Sequence, residues 1–356
     1  MKYYCQLIFL FFLLFFCACS KLDEKIIPSF DIIENSSILS KDFGIENIAN
    51  IENLECNDSV LVVTDYYEEN MFTLFETSTA TFKTRFGRMG QGPFELLPGC
   101  DGIQIDDEYH VSLKDNGFIA RYDIGCLSEI KECPYKLKHN YKIEDGIFSK
   151  LLPLVGEQKY YLGAGTYKDR YQYCLFDSLN NVLDFSHVIY NKNNNAMNRF
   201  HRYLSNQGIL KRKPDENLFV YSLFNSSRLD FLFVSDKHKI QSVKSYHLYN
   251  PEYKLWNGGG LNRIFPVENS IVGYLDLSVS SNFVYALFCF KKRYKIENGE
   301  SCSSDIILVY DWQGKAIKQI KLPFEVFHIA VNETSSEIYG SWQDMDGNWR
   351  IATFSL

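Results

Sequence analysis

Phe327-His328-Ile329-Ala330-Val331-Asn332-Glu333-Thr334-Ser335-Ser336-Glu337-Ile338-Tyr339-Gly340 reads as a strand, a polar turn and a second strand. A third strand ends the chain at Phe354-Ser355. Runs of β-branched and aromatic residues bounded by Asn, Ser and Glu carry that reading. Working back toward the N-terminus, the same unit recurs. Its most regular mark is an aromatic residue closing the third strand just before a polar turn. The marks are Phe75-Glu76, Tyr122-Asp123, Phe176-Asp177, Phe233-Val234-Ser235-Asp236, Tyr310-Asp311 and Phe354-Ser355. Asn180-Asn181 and Gln313-Gly314 supply hairpin chemistry in the turns that follow.

A β-rich segment precedes each mark, as in residues 60–63, 109–113, 159–162, 218–221, 283–288 and 337–340. Four strands per unit, recurring at roughly 50 residues, is the signature of a propeller blade. The spacing predicts an all-β, six-bladed propeller with four-stranded antiparallel blades. The wide gap between Phe233 and Tyr310 holds two insertions, Tyr253 to Ile264 and Lys291 to Ser304. The last unit lacks a fourth strand. The segment Ile26-Ile27-Pro28-Ser29-Phe30-Asp31-Ile32-Ile33 is predicted to supply it, so that an N-terminal strand closes the ring. A long β-sandwich and a pair of β domains are the competing arrangements.

The N-terminus carries a different signal. Lys2 precedes the apolar run Leu7 to Phe16, which ends in Cys17-Ala18-Cys19-Ser20. Such a run has the length of a signal-peptide core and falls short of a bilayer span. The end of the run resembles the lipobox of bacterial lipoproteins, with Phe16 and Cys17 departing from its usual residues. The resemblance implies a signal peptide at 1–18, lipid on Cys19, a tether at 19–25 and a propeller at 26–356. It also implies a cell-envelope address as an outer-membrane lipoprotein, on its periplasmic face or at the cell surface.

Among 356 residues, 44 are acidic and 37 basic, for a net charge of −7. That balance disfavours nucleic acid as a partner. Seven cysteines follow Cys19, an odd number without metal-site spacing. They read mostly as buried thiols, with Cys126/Cys133 and Cys289/Cys302 as the spacings open to bridging.

Phe86-Gly87-Arg88-Met89-Gly90-Gln91-Gly92-Pro93-Phe94-Glu95 is the most distinctive stretch. It resembles the G-x-G-Q-G-P-x-E signature of bacterial lipoproteins with six-bladed TolB-like and NHL-like propellers, with Phe94 where Gly is frequent. Residues 307–315 and 338–340 are similar to the last two blades of that family. The resemblance implies fold and location; no general activity comes with it. By its own chemistry the stretch is a sharp blade connection. It lacks the Lys-Ser/Thr of a phosphate loop.

In a propeller, loops after the second strands and between blades share one face, where ligand residues are expected. The candidates there are Arg88, Gln91, Asp115, Asn116, Tyr167, Arg170, Arg228, Trp342 and Asp344. Aromatic rings with acids and amides suit a peptide, protein or glycan ligand. Asp344-Met345-Asp346-Gly347-Asn348 places Gly too early for an EF-hand and reads as a hairpin. Of seven histidines, His328 and His201 fall near predicted inner strands, and neither a metal nor a cofactor is expected. With no catalytic motif in view, a membrane-tethered binding or scaffold module leads. A hydrolase or lyase working in the central channel is its rival.

Overall fold

The computed structural model describes residues 29–92, 95–97, 101–105, 110–115, 118–124, 135–156, 159–188, 196–247, 252–258 and 261–356. The expected signal peptide and tether, Cys17, the expected lipidation residue Cys19 and Asn116 lie outside them.

Two short strands come first, β1 (Ile33–Asn35) and β2 (Ile38–Leu39). The first sheet holds β3 (Asn53–Cys56), β4 (Val60–Thr64), β5 (Asn70–Glu76) and β6 (Phe82–Arg88). The second holds β7 (Asp101–Ile105), β8 (His110–Asp115), β9 (Phe118–Asp123) and β10 (Tyr135–Asn140). The third holds β11 (Gly146–Pro153), β12 (Tyr160–Tyr167), β13 (Tyr171–Asp177) and β14 (Val182–Val188). After helix α1 (Arg199–Ser205) the fourth follows, with β15 (Gly208–Arg212), β16 (Leu218–Leu223), β17 (Leu229–Val234) and β18 (Ile240–Tyr246).

A separate hairpin, β19 (Tyr253–Gly258) and β20 (Leu261–Pro266), precedes the fifth sheet. That sheet holds β21 (Tyr274–Val279), β22 (Phe283–Phe288), β23 (Ser304–Asp311) and β24 (Ala316–Val326), with helix α2 (Arg293–Glu297) between its second and third strands. The sixth holds β25 (His328–Asn332), β26 (Glu337–Gln343) and β27 (Trp349–Ser355).

The first strands of successive sheets pack side by side, and β25 packs on β3 to close the circle. The protein is therefore a six-bladed propeller, with five four-stranded sheets and one five-stranded sheet. The predicted insertions are the hairpin β19–β20 and the segment carrying α2.

The core is divided among the spaces between blades. One cluster joins Phe72 and Phe86 of the first blade to Ile103 and Tyr122 of the second. Another joins Leu61 and Phe75 of the first to Ala330 and Tyr339 of the sixth. Each blade is covered on both faces by its neighbours. This is why strands such as Val60-Leu61-Val62-Val63 are apolar without alternation. The third-strand marks Phe75, Tyr122, Phe176, Tyr310 and Phe354 are all buried.

The acid that follows the aromatic has its own task. The Asp177 carboxylate accepts the Leu179 and Asn181 amides, both at 2.9 Å. Asp311 does the same for Gln313 at 3.0 Å and Lys315 at 2.7 Å. These carboxylates hold the turn, a local hydrogen bond that the Asx side chain makes to its own backbone.

Ring closure differs from the expectation in its residues. Ile38–Leu39, and not the 26–33 segment, pairs antiparallel with β27 as the fourth strand of the sixth blade. The earlier segment reaches the fifth blade instead. Ile33 pairs in parallel with Gln319 of β24, and the Phe30 ring meets Tyr310 edge-on at 5.4 Å. The reason is chain order. The vacant fourth position of the last blade leads into β3, so the strand just before β3 fills it. What lies further upstream finds only the open edge of β24. Residues 26–28 lie outside the described part.

Candidate functional site

The first strands alternate between the interblade core and the axis. Leu54 is buried in the core on β3 while Glu55 points the other way; Ile103 and Ile105 flank Gln104 on β7 in the same manner. Polar side chains therefore meet at the centre. The Lys211 ammonium of the fourth blade forms a close ion pair with Glu55 of the first and donates to the Ile103 carbonyl at 3.0 Å. Gln104 accepts the Arg212 amide at 2.9 Å. Asp276 accepts the Ile329 amide and Ser278 the Val331 amide, each at 2.9 Å, so that the fifth and sixth blades are stitched side chain to backbone.

Burial shapes the charge states. It pushes the Glu55 carboxyl up, against the pull of Lys211. It pushes Asp276 up to about 6, opposed by Lys211 and the amides of Ile329 and Leu277. His328 does begin an inner strand, and burial lowers it to about 4. Its Nδ1 lies 3.8 Å from Asp276, too far for a hydrogen bond. His201 sits on α1 rather than an inner strand. Among the described residues no group of His, Cys, Asp or Glu is arranged to hold a metal ion.

On one side of this network the channel opens into a cavity of about 410 Å³. Glu55 and Gln104 reach its floor. Its rim comes from the turns between first and second strands, including Asn57, Asp58, Pro214, Ser280 to Asn282 and Asn332 to Thr334. The rim is braced internally. Asn332 donates to the Asn57 and Asp58 carbonyls at 3.3 Å. The Glu333 carboxylate accepts from Tyr285 at 2.6 Å and from Asn282 at 3.0 Å. Cys56 lines the wall, but burial holds its thiol well above the ordinary range, leaving it a poor nucleophile.

The cavity is at the opposite mouth from the expected ligand face. Long connections fold over the expected one: α1 packs on β11, β12 and β20, with His201 fully buried. The described candidates named from the sequence sit in loops and at strand ends on the side of that other mouth, each in its own local surroundings. Arg88 is exposed, 3.3 Å from Glu69 and 3.5 Å from Glu95, and Gln91 is exposed nearby. Tyr167 is buried with its ring 5.5 Å from Phe185. Arg170 lies over Tyr171 at 5.7 Å. Arg228 pairs with buried Asp230 at 2.7 Å, and Trp342 packs on Phe324 at 5.2 Å. Asp344 holds its hairpin through the Asp346 and Asn348 amides and pairs with Arg350 at 2.6 Å, so the hairpin reading stands. Asp115 ends β8, its side chain outside the described set.

Cavity residues such as Glu55, Gln104, Asp58, Asn332 and Glu333 were missed by reading the sequence. The available signal was a polar residue between two apolar ones on a first strand, as in Leu54-Glu55-Cys56, Ile103-Gln104-Ile105 and Leu275-Asp276-Leu277. Cys56, Cys174, Cys289 and Cys302 are free thiols; Cys100, Cys126 and Cys133 lie outside the described residues.

The glycine-rich stretch is a structural latch. The Glu95 carboxylate accepts the Gly92 amide at 2.8 Å, and Leu96 donates to the Arg88 carbonyl at 2.9 Å while its side chain enters the first interblade core. A Cβ on Gly90 would stand 1.9 Å from the Glu95 carboxylate. Gly87 has a φ of +73°, reserved in practice for glycine.

Residues 52–334 match the TolB-like 6-blade propeller-like family. The chain belongs to this family. One solved structure agrees at the level of fold. A member of the DUF4221 family from Bacteroides vulgatus is 12% identical, with 90% of this chain and 97% of that one aligned and a TM-score of 0.54. The propeller domain of Myceliophteria thermophila Cps50 (Swd1) is 7% identical over 90% and 99%, at a TM-score of 0.46. Chaetomium thermophilum Raptor is 13% identical over 90% of this chain and 29% of that one, at 0.45. No curated protein matches the sequence. No helix among the described residues of this TolB-like propeller is long and apolar enough to cross a membrane.

Proposed function

We propose that this TolB-like propeller is a binding module, held at the outer membrane by lipid on Cys19, that takes part of a peptide, protein or glycan in the channel cavity. One observation carries the reading: a cavity of about 410 Å³, rimmed by turns from four blades and floored by Glu55 and Gln104. That volume falls in the range of small-ligand sites. Convergent turns on a rigid ring provide fixed polar groups at low ordering cost. The wall contains a protonated thiol rather than an activated nucleophile, which favours binding over the hydrolase or lyase reading.

The test has two arms. Full-length protein is screened by thermal shift against peptide and glycan panels, alongside a Ser281→Trp variant that fills the cavity mouth. A stabilising ligand whose effect vanishes in the variant supports the reading; a ligand effect equal in both proteins, or turnover of a panel compound, overturns it. The anchor is tested separately by labelled fatty-acid incorporation, expected in the native protein and absent from Cys19→Ala.

A further inference from the structure

The cavity wall is one-sided in charge and in hydrogen-bonding sense. Three carboxylates line it, Glu55, Asp58 and Glu333, and no Lys, Arg or His does so among the described residues. The nearest cations are already matched. Lys211 is spent on Glu55, and Lys213, beside the rim residue Pro214, is paired with both Asp215 and Glu216. Several amide donors of the wall are committed as well. Gln104 gives its NH₂ to the Arg212 carbonyl, Asn332 to the Asn57 and Asp58 carbonyls, and Asn282 to Glu333. The charge that remains facing an entering molecule is negative. The Asp58 carboxylate is exposed and makes no hydrogen bond or ion pair among the described residues.

An anionic ligand would meet like charge here, and a neutral sugar would leave the carboxylate charge unmatched. A donor-rich cation would meet the reverse, with charge-assisted bonds to carboxylates that a rigid rim holds in place. The enclosed shape adds to this, because a concave wall of one sign focuses its field on the opening.

Resting on the binding-module reading, we propose that the cavity selects an organic cation, a primary ammonium or guanidinium group, with Asp58 and Glu333 as its principal ligands. Such a group occurs free, as in a polyamine, or at the tip of a peptide's Lys or Arg side chain. The two sources share one head-group chemistry, and the assay separates them.

Full-length protein in detergent is titrated calorimetrically with spermidine, with a Lys-containing tripeptide, with a neutral chito-oligosaccharide and with succinate. Binding of spermidine or the tripeptide is expected, weakening as salt is added. Asp58→Asn combined with Glu333→Gln is expected to weaken it about tenfold or more, with unchanged urea unfolding. If only spermidine binds, the ligand is a free polyamine; if the tripeptide binds as well or better, it is a peptide side chain. Absence of cation binding, or unchanged affinity in the double variant, overturns the proposal. Binding of the neutral saccharide alone, blocked by Ser281→Trp, removes the cation while leaving the binding module standing.

Discussion

Lys211 on the fourth blade reaches Glu55 on the first, the blade directly opposite in the ring, and the ion pair spans the channel. Both side chains are buried, at 2% and 9% exposure, so neither charge is shared with bulk water. The pair separates the cavity from the rest of the axis and turns the channel into a cup. Removing either partner leaves the other charge buried and unmatched.

Lys211→Met is accordingly expected to lower unfolding free energy by about 3–5 kcal/mol. Replacing Lys211 and Glu55 together by leucine should recover most of that loss, since no lone charge then remains. Urea denaturation of the single and double variants gives the coupling. A double variant as unstable as the sum of the singles would contradict the arrangement.

Asp276 makes stability depend on pH in a definite direction. Its carboxyl ionises near 3.8 when unfolded and near 6 in the buried native site. Between those values the folded chain holds a proton that the unfolded chain has released, so stability falls as pH rises through the window and levels off above it. The full effect is about 3 kcal/mol by linkage. Asp276→Asn keeps an acceptor for the Ile329 amide and should flatten this part of the profile. Urea midpoints at several values between pH 4 and 7 decide it.

The glycine latch yields an ordered pair of substitutions. Gly87→Ala would set its Cβ 2.6 Å from the Phe72 ring in a left-handed backbone. Gly90→Ala meets the movable Glu95 carboxylate instead. Expected losses are about 2–3 kcal/mol for the first and about 1 kcal/mol for the second, read from thermal or urea unfolding. A larger loss at Gly90 would show that Glu95 cannot move aside.

The closing strand can be removed. Truncation to Lys41 deletes both β2 and β1, leaving β27 and β24 as bare edges. Such edges pair with other chains. Lower unfolding midpoint and increased light scattering on warming are the expected results. An unchanged midpoint would mean that the two-residue strand does not hold the ring.

The blade repeat was readable because it is local. Phe176-Asp177 and Tyr310-Asp311 each join a residue that fills an interblade core to an acid that ties the next turn, so one dipeptide reports both packing and chain reversal. The glycine-rich connection was readable for the same reason, since its glycines answer a backbone need. The candidate site was not. Glu55 and Gln104 are far apart from Lys211, Asp276 and Glu333 in the chain, and only ring closure assembles them. Arg228, named as a ligand candidate from its loop, is bound to Asp230, a partner two residues on whose burial depends on packing from the neighbouring blades.

The amino-acid sequence by itself determined the number of blades, most of the strands in each and the turns that join them, because those depend on residues within a few positions of one another. The tertiary structure alone decided which N-terminal strand closes the ring, which mouth of the channel stays open and which charges meet at its centre. Those outcomes follow from contacts between segments hundreds of residues apart. Their geometry is set by how six wedges pack around an axis rather than by any stretch of chain.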